Sequence, residues 1–465
     1  MIDVSFRDPE IRELVTRALE RSFTRSQLGE GTEIAFSDRT QSGFRKQVIF
    51  GEKPLNASFK PIGTLSKTVI RFEEHPLTQN LHLKERLFER YDFEKEWNNL
   101  GYGKIETTTG SLFGLVDPTD PLYCALFETD AESILWFNRP VGPIDGFDWR
   151  IVEDFISDYR HESLPTLPVL SEIPAGYRAA ATFRIDCDEA IESGRPLFEL
   201  YRKHDFPFTL AIKTEQDFTP GATALIEEVI DCGGSILIHS HTHAPEWGEP
   251  STRPGPPSRG DAFFEASTSL SILRERLAGR VNSYAVSPFH QNPRVALPKL
   301  LRAGIDGFIG GIICNDPEYL MARGGAVPFC QGMVSHSEQC MFHGDCIHPK
   351  GESLEVYFDA LESAIRTETF FGYLDHPFSN YHYGWKSEEA RLDAHERFLN
   401  RLDKVPGLLK ANSRETLDFM WDRAHALIRV ESGGATVTAG VNPRSRFQFK
   451  LRWKSKQIQA IPDSL

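Results

Sequence analysis

The stretch Ser235-Ile236-Leu237-Ile238-His239-Ser240-His241-Thr242-His243 decides the reading, because an apolar run short enough for a buried strand ends in three histidines. Upstream, Ala181-Thr182-Phe183-Arg184-Ile185-Asp186-Cys187-Asp188 ends a similar run in two carboxylates. His239 and His243 stand four apart, which in an extended strand separates their Cα atoms by roughly 13 Å. That is too far to share an ion that holds imidazole nitrogens at about 2.0–2.1 Å, so the chain must turn after Ile238. In a helical turn, positions i and i+4 lie on one face. Both imidazoles then reach one cation, with Asp188 supplying an oxygen from the neighbouring strand end. An Asp/His/His set keeps positions open for water, the arrangement of a catalytic rather than a structural metal.

The bulk composition bounds the answer. With 465 residues, 40% hydrophobic and 25% charged, the chain is long enough for two or three domains and a large core. A net charge of −14 argues against nucleic acid or anionic lipid as partner. The opening Met1–Glu10 lacks a positive region followed by an apolar one, and no stretch approaches the length of an apolar span, so the expectation is a cytoplasmic protein without membrane insertion. Seven cysteines, an odd number scattered along the chain, fit reduced thiols packed as small core residues.

Residues 1–163 mix helical and strand patterns and read as an accessory α/β domain, with a strand at Ser133–Phe137 and an amphipathic close at Phe147–Ile156. Pro165, Pro168 and Pro174 disfavour regular structure, so 164–176 reads as a linker. From Tyr177, strands at Ala179–Ile185, Phe208–Ile212 and Ser235–Ile238 alternate with helices at Arg195–His204 and Ala222–Asp231. Such alternation implies a parallel sheet with its site at the carboxyl ends of the strands. A helix at Phe264–Leu277, a strand at Ser283–Val286, and Thr369–Leu374 running into Asp375-His376-Pro377 continue the pattern to about residue 422. Residues 423–465 read as strands between Gly-Gly and Asn-Pro turns, a small β-rich segment.

The order of these motifs resembles the NodB-type polysaccharide deacetylases, metal-dependent carbohydrate esterases. The resemblance covers a little over half of the chain. It rests on Asp186/Asp188, His239-Ser240-His241-Thr242-His243 and Leu374-Asp375-His376-Pro377, which stand in the order of that family's aspartate pair, His-Ser/Thr-x-x-His motif and late Leu-His-Pro-like motif. The resemblance implies a distorted (β/α) barrel over 177–422. It also implies Asp188, His239 and His243 as metal ligands, Asp186 as general base and His376 as general acid. The family's aspartates are adjacent, whereas Cys187 separates these two, which leaves open which carboxylate ligates and which is the base. On a strand, residues two apart share a face, so both can point into the site. The family's arginine-bearing loop corresponds here to Ser287-Pro288-Phe289-His290-Gln291, which has no arginine. Another cation must then orient Asp186, or its pKa sits higher. Arg184 and Arg294 are the candidates.

The chemistry implied is hydrolysis of an N-acyl group, acetyl in the first instance, from an amino sugar or a glycoconjugate precursor. The metal is divalent, with zinc as the default and cobalt, nickel, manganese or iron as alternatives. His241, His290, His343, Asp345 and Trp385 are candidate substrate contacts, the last within the aromatic run Tyr381–Trp385. Cys340, His343, Cys346 and His348 form a second cluster, read as a substrate-lining loop, a structural zinc site or plain structural polarity. Two other functions fit the motifs: hydrolysis of a cyclic ureide or imide, and carbohydrate binding by an inactive relative. The role of the amino-terminal region and the oligomeric state stay open.

Overall fold

A computed structural model of the chain describes residues 146–459 except 245–246, 249–258, 289–295, 312–323, 328–329, 339, 349–350, 380–381, 432–433 and 455, together with five strands and residues 130 and 132 nearer the amino terminus. Those five strands, β1 (Ser66–Phe72), β2 (Glu85–Arg90), β3 (Ser111–Asp117), β4 (Leu122–Glu128) and β5 (Ser133–Phe137), form an antiparallel sheet in the order β2-β1-β3-β4-β5. Helix α1 (Gly146–Ser157) follows, and beyond it the Arg160 guanidinium donates to Ser133 Oγ at 2.9 Å and to the Glu132 carbonyl at 3.2 Å.

Residues 164–176, expected as a linker, carry β6 (Val169–Leu170), which pairs antiparallel with a carboxyl-terminal strand through Leu451↔Leu170 and Arg452↔Val169. Ser171, Glu172 and Ile173 are buried, and the Glu172 carboxylate accepts the backbone N–H groups of Gly324 and Phe370, each at 3.1 Å. Proline bars a helix there, yet it tolerates a short edge strand.

The main sheet holds β7 (Ala179–Cys187), β8 (Thr209–Ile212), β9 (Ser235–Ile238), β10 (Tyr284–Val286), β11 (Gly307–Gly311), β12 (Gly325–Ala326), β13 (Val334–Glu338), β14 (Cys340–Met341), β15 (Phe371–Asp375) and β16 (Leu408–Ala411). Its order is β12-β13-β11-β10-β9-β8-β7-β15-β14, with β16 beside β7. All pairings are parallel except β12 with β13. Helices α2 (Arg195–Lys203), α3 (Pro220–Asp231), α4 (Ala262–Arg276) and α5 (Leu297–Arg302) link successive strands from β7 to β11. The sheet curls into a half-barrel, so the expected α/β class and distorted barrel are found.

Strand parity separates two cores. In β7, Ala181, Phe183, Ile185 and Cys187 join Leu210, Ile212, Ile236 and Ile238 against the helices. The alternate residues Ala180, Ala211, Leu237, Tyr284 and Val286 face the other way, where they meet Leu417, Phe419 and Met420 of a late helix. Arg184 and Asp186 share the parity of Ala180, so β7 aims them away from the helical layer.

Helices α6 (Gly344–Ile347) and α7 (Glu355–Thr367) precede β15, α8 (Glu388–Leu402) follows it, and α9 (Ser413–His425) follows β16. Asn412 and Glu415 form a reciprocal capping box that starts α9, satisfying two backbone N–H groups. The hairpin β17 (Leu427–Glu431) and β18 (Gly434–Thr438) and the pair β19 (Lys450–Trp453) and β20 (Lys456–Gln459) complete the carboxyl end. β19 is the strand that pairs β6, so residues 451–452 are paired with residues 169–170. No helix among the described residues is long and apolar enough to cross a membrane.

His336, on β13, is fully buried, and neither ring nitrogen has a hydrogen-bond partner. Burial, and then the Arg184 charge, push its pKa down to about 3 from 6.5. The folded state therefore excludes a proton that the unfolded chain takes up, and stability falls as pH drops below 6.5 toward 3, by about 1.4 kcal/mol per unit once the unfolded form is protonated. His336→Leu is expected to unfold in urea with a weaker dependence on pH between 7 and 4 than the wild type. Parallel slopes for the two proteins contradict this.

Candidate metal centre

The site gathers where β7, β9 and β15 end. Asp188 follows β7 and brings Oδ1 to 3.1 Å from His239 Nε2 and 3.4 Å from His243 Nε2. These three groups form one of two clusters among the described residues whose ligand atoms converge within 4.8 Å. His239 Nδ1 lies 3.0 Å from the Val286 carbonyl, which fixes a proton on Nδ1 and turns Nε2 toward Asp188. Asp188 Oδ1 is buried and has no hydrogen-bond donor. The Nε2 atoms of His239 and His243 and a carboxylate oxygen thus converge on one another. That donor set suits a divalent cation between them. Burial, the largest influence, pushes the His243 pKa down to about 4, so its imidazole is neutral and ready to ligate at pH 7. Burial also opposes protonation of His239, but Asp186 and Asp188 beside it raise its pKa overall.

The turn that delivers the histidines is built around one buried carboxylate. Glu265, on α4 and fully buried, accepts the backbone N–H groups of His241 at 2.8 Å and Thr242 at 2.7 Å through Oε2. Its Oε1 takes the Thr242 hydroxyl at 2.6 Å and the Gly260 N–H at 3.1 Å. Ser240 Oγ accepts from His243 N at 3.0 Å. Ser240 and His243 both have positive φ, 61° and 53°, a conformation that L-residues rarely adopt and that these contacts hold in place.

Asp186 is gripped by Arg184: Nε donates to Oδ1 at 2.6 Å and Nη2 to Oδ2 at 2.9 Å, with both side chains buried. Burial acts to raise the Asp186 pKa, but Arg184 and the neighbouring His239 overcome it, leaving the carboxyl well below the usual carboxylate range. Of the two arginines weighed for this role, Arg184 fills it, whereas Arg294 lies outside the described residues. The opposite wall is His376, whose Nε2 is 3.8 Å from Asp188 Oδ2 and whose Nδ1 is 2.9 Å from His343 Nε2. Burial, then the His343 charge, push the His376 pKa down to about 4, so at pH 7 it is neutral and carries one proton.

The expected substrate contacts separate. His343 Nε2 lies against His376 Nδ1. His241 turns to Thr214 Oγ1, 3.0 Å from its Nδ1, and packs edge-on against Phe264. Trp385 is buried, with Nε1 donating to Asp375 Oδ1 at 3.4 Å beneath the site. His290 and the Asp345 side chain lie outside the described residues, as does that of Cys346 in the second cluster. His348 faces Glu352 at 3.4 Å and the edge of Trp385.

Several positioning groups are invisible in the motifs. Asp375 is wholly buried and lies 3.0 Å from His395 Nε2, while His395 Nδ1 lies 2.9 Å from the Tyr201 hydroxyl. Arg391, also buried, donates to the His376 carbonyl. Glu265, His395 and Arg391 come from helices distant in sequence, where a lone charged residue reads as solvated surface. The Asp261 cap of α4 was the one local cue near Glu265.

No family model and no curated protein sequence matches the chain. Solved structures similar to it include a protein reported as a polysaccharide deacetylase from Mycobacterium smegmatis, at 12% identity and TM-score 0.40 over 55% of this chain and 94% of that one. The catalytic domain of a peptidoglycan N-acetylglucosamine deacetylase from Eubacterium rectale is similar at 14% identity and TM-score 0.32, covering 52% and 91%. A family 4 acetyl xylan esterase from Clostridium thermocellum, in complex with cobalt, is similar at 11% identity and TM-score 0.30, covering 51% and 89%.

Removing one partner of a buried charge pair strands the other. Arg184→Met is therefore expected to lower the unfolding free energy at pH 7 by about 3–5 kcal/mol. Because Asp186 is depressed in the fold, its contribution is fully present above the unfolded carboxylate value near pH 4 and is lost only as pH falls below that toward the lower folded value. The deficit of the variant should therefore begin to shrink in urea titrations taken below about pH 4. A deficit that is constant with pH contradicts the assignment.

Proposed function

We propose that this chain is a metal-dependent hydrolase that removes an N-acyl group, acetyl in the first instance, from an amino sugar within a carbohydrate or glycoconjugate. The observation that carries the reading is the convergence of three ligand groups, Asp188, His239 and His243, beside a carboxylate that Arg184 holds ionised. A carbohydrate-binding protein has no use for a base so fixed next to a metal-ligand set. The order of the three motifs, which resembles the NodB-type deacetylases, supports the sugar amide over a cyclic ureide or imide.

When bound by Asp188, His239 and His243, a divalent cation would polarise the acyl carbonyl and lower the pKa of a water at neutral pH. Asp186 accepts the proton of the attacking water, and it is suited to this because Arg184 keeps it ionised and immobile. His376 stands across Asp188, with Nε2 facing the site. Neutral at rest, with its one proton on Nδ1 directed at His343 Nε2 2.9 Å away, it takes up at Nε2 the proton that Asp186 removes from water and, as the imidazolium, donates it to the departing amine.

The test is metal content together with acetate release. Purified wild type is expected to hold one divalent ion per chain and to release acetate from N-acetylglucosamine oligosaccharides. His239→Ala/His243→Ala should lose both, and Asp186→Asn should keep the metal while turnover falls by about 10²–10⁴-fold. Metal bound without acetate release moves the search to cyclic amides. Metal content unaffected by the double substitution contradicts the site.

A further inference from the structure

We infer that Tyr383 is a positioning residue of this centre, which sets the orientation of the Asp188 carboxylate with its hydroxyl and the plane of His376 with its ring. The inference rests on the metal-hydrolase reading above. Tyr383 donates its hydroxyl proton to Asp188 Oδ2 at 3.2 Å. The other oxygen, Oδ1, is the one that faces His239 and His243. With Oδ2 engaged, Asp188 would offer a bound cation one oxygen, not two, which would leave room at the cation for water and the substrate carbonyl. The same ring lies on His376, with centroids 3.8 Å apart and planes 14° from parallel, and its centroid is 5.1 Å from that of the tilted His343 ring. His376 is thereby held between a stacked face and the His343 hydrogen bond, and its Nε2 stays aimed at the site.

The backbone that presents Tyr383 is strained, as expected where a side chain must be held in one place. His382 and Tyr383 have φ of 52° and 45°, in a region that residues with a Cβ seldom adopt. The surroundings hold the turn there. The Trp385 N–H closes it on the His382 carbonyl at 2.8 Å, and the Trp385 indole is anchored to Asp375. Across from it, a Cβ at Gly344 would lie 2.4 Å from the Gly384 carbonyl and from Trp385 N, so only glycine lets α6 approach this closely.

The experiment is cobalt affinity by chelator competition, with kcat and KM for acetate release, on wild type, Tyr383→Phe and Tyr383→Leu. Tyr383→Phe keeps the ring and is expected to weaken cobalt binding and lower kcat by about 10-fold or more with KM little changed. Tyr383→Leu should match it in cobalt affinity and fall further in kcat, because the His376 face is uncovered. Wild-type affinity and kcat in Tyr383→Phe overturn the inference and leave the hydrolase reading intact. So does an affinity loss seen in Tyr383→Leu alone, since the hydroxyl is then idle. If wild type binds cobalt yet releases no acetate, affinity still decides the role of the hydroxyl. If wild type binds no cobalt, both readings fall.

Discussion

The bidentate contact between Arg184 and Asp186 is the constraint on which the rest of the site depends. Two charges on one strand, both removed from water, persist only because the planar guanidinium matches the carboxylate and returns most of what desolvation costs. Strand parity puts the pair on the face of β7 opposite the helical layer, and Asp188 follows just beyond the strand. The residue that keeps Asp186 ionised therefore belongs to the same strand as the residue it serves. No loop has to close to bring it in, and the Asp186 carboxylate is set when β7 joins the sheet.

Around that fixed point, each mobile group is held by a contact on the side away from the centre. His239 is turned by the Val286 carbonyl, the loop backbone at His241 and Thr242 by the buried Glu265 carboxylate, and His376 by Arg391 and His343. Positive φ at Ser240, His243, His382 and Tyr383 marks the two turns that bring side chains in from opposite walls. Such strain persists where the surrounding structure over-determines it, and in both turns the determinants are buried.

Much of this was legible in the sequence because it is local. Ser235–Ile238 stands as a strand where the apolar run between Gly-Gly and the histidines required one, and the four-residue spacing of His239 and His243 demanded the turn that Glu265 stabilises. Arg184 stood two residues before Asp186 on one face of a strand, which made it a candidate before any contact was known. What stayed hidden is non-local. Glu265 contacts Thr242 across 23 positions and His395 contacts Asp375 across 20, from helices whose own patterns say nothing of the partner. Trp385 shows a different limit: an indole that stacks on a sugar and one that braces a buried carboxylate carry the same sequence signal, and here the indole braces Asp375. The prolines of 164–176 likewise hid a short edge strand whose partner, β19, lies at the far end of the chain.

X-ray absorption at the metal edge of the cobalt- or zinc-loaded protein tests the central claim most directly. The account predicts a shell of nitrogen and oxygen at about 2.0–2.2 Å, with multiple-scattering features of two imidazoles and no sulfur. A thiolate ligand, or a metal whose two imidazole signatures survive in His239→Ala/His243→Ala, would contradict it.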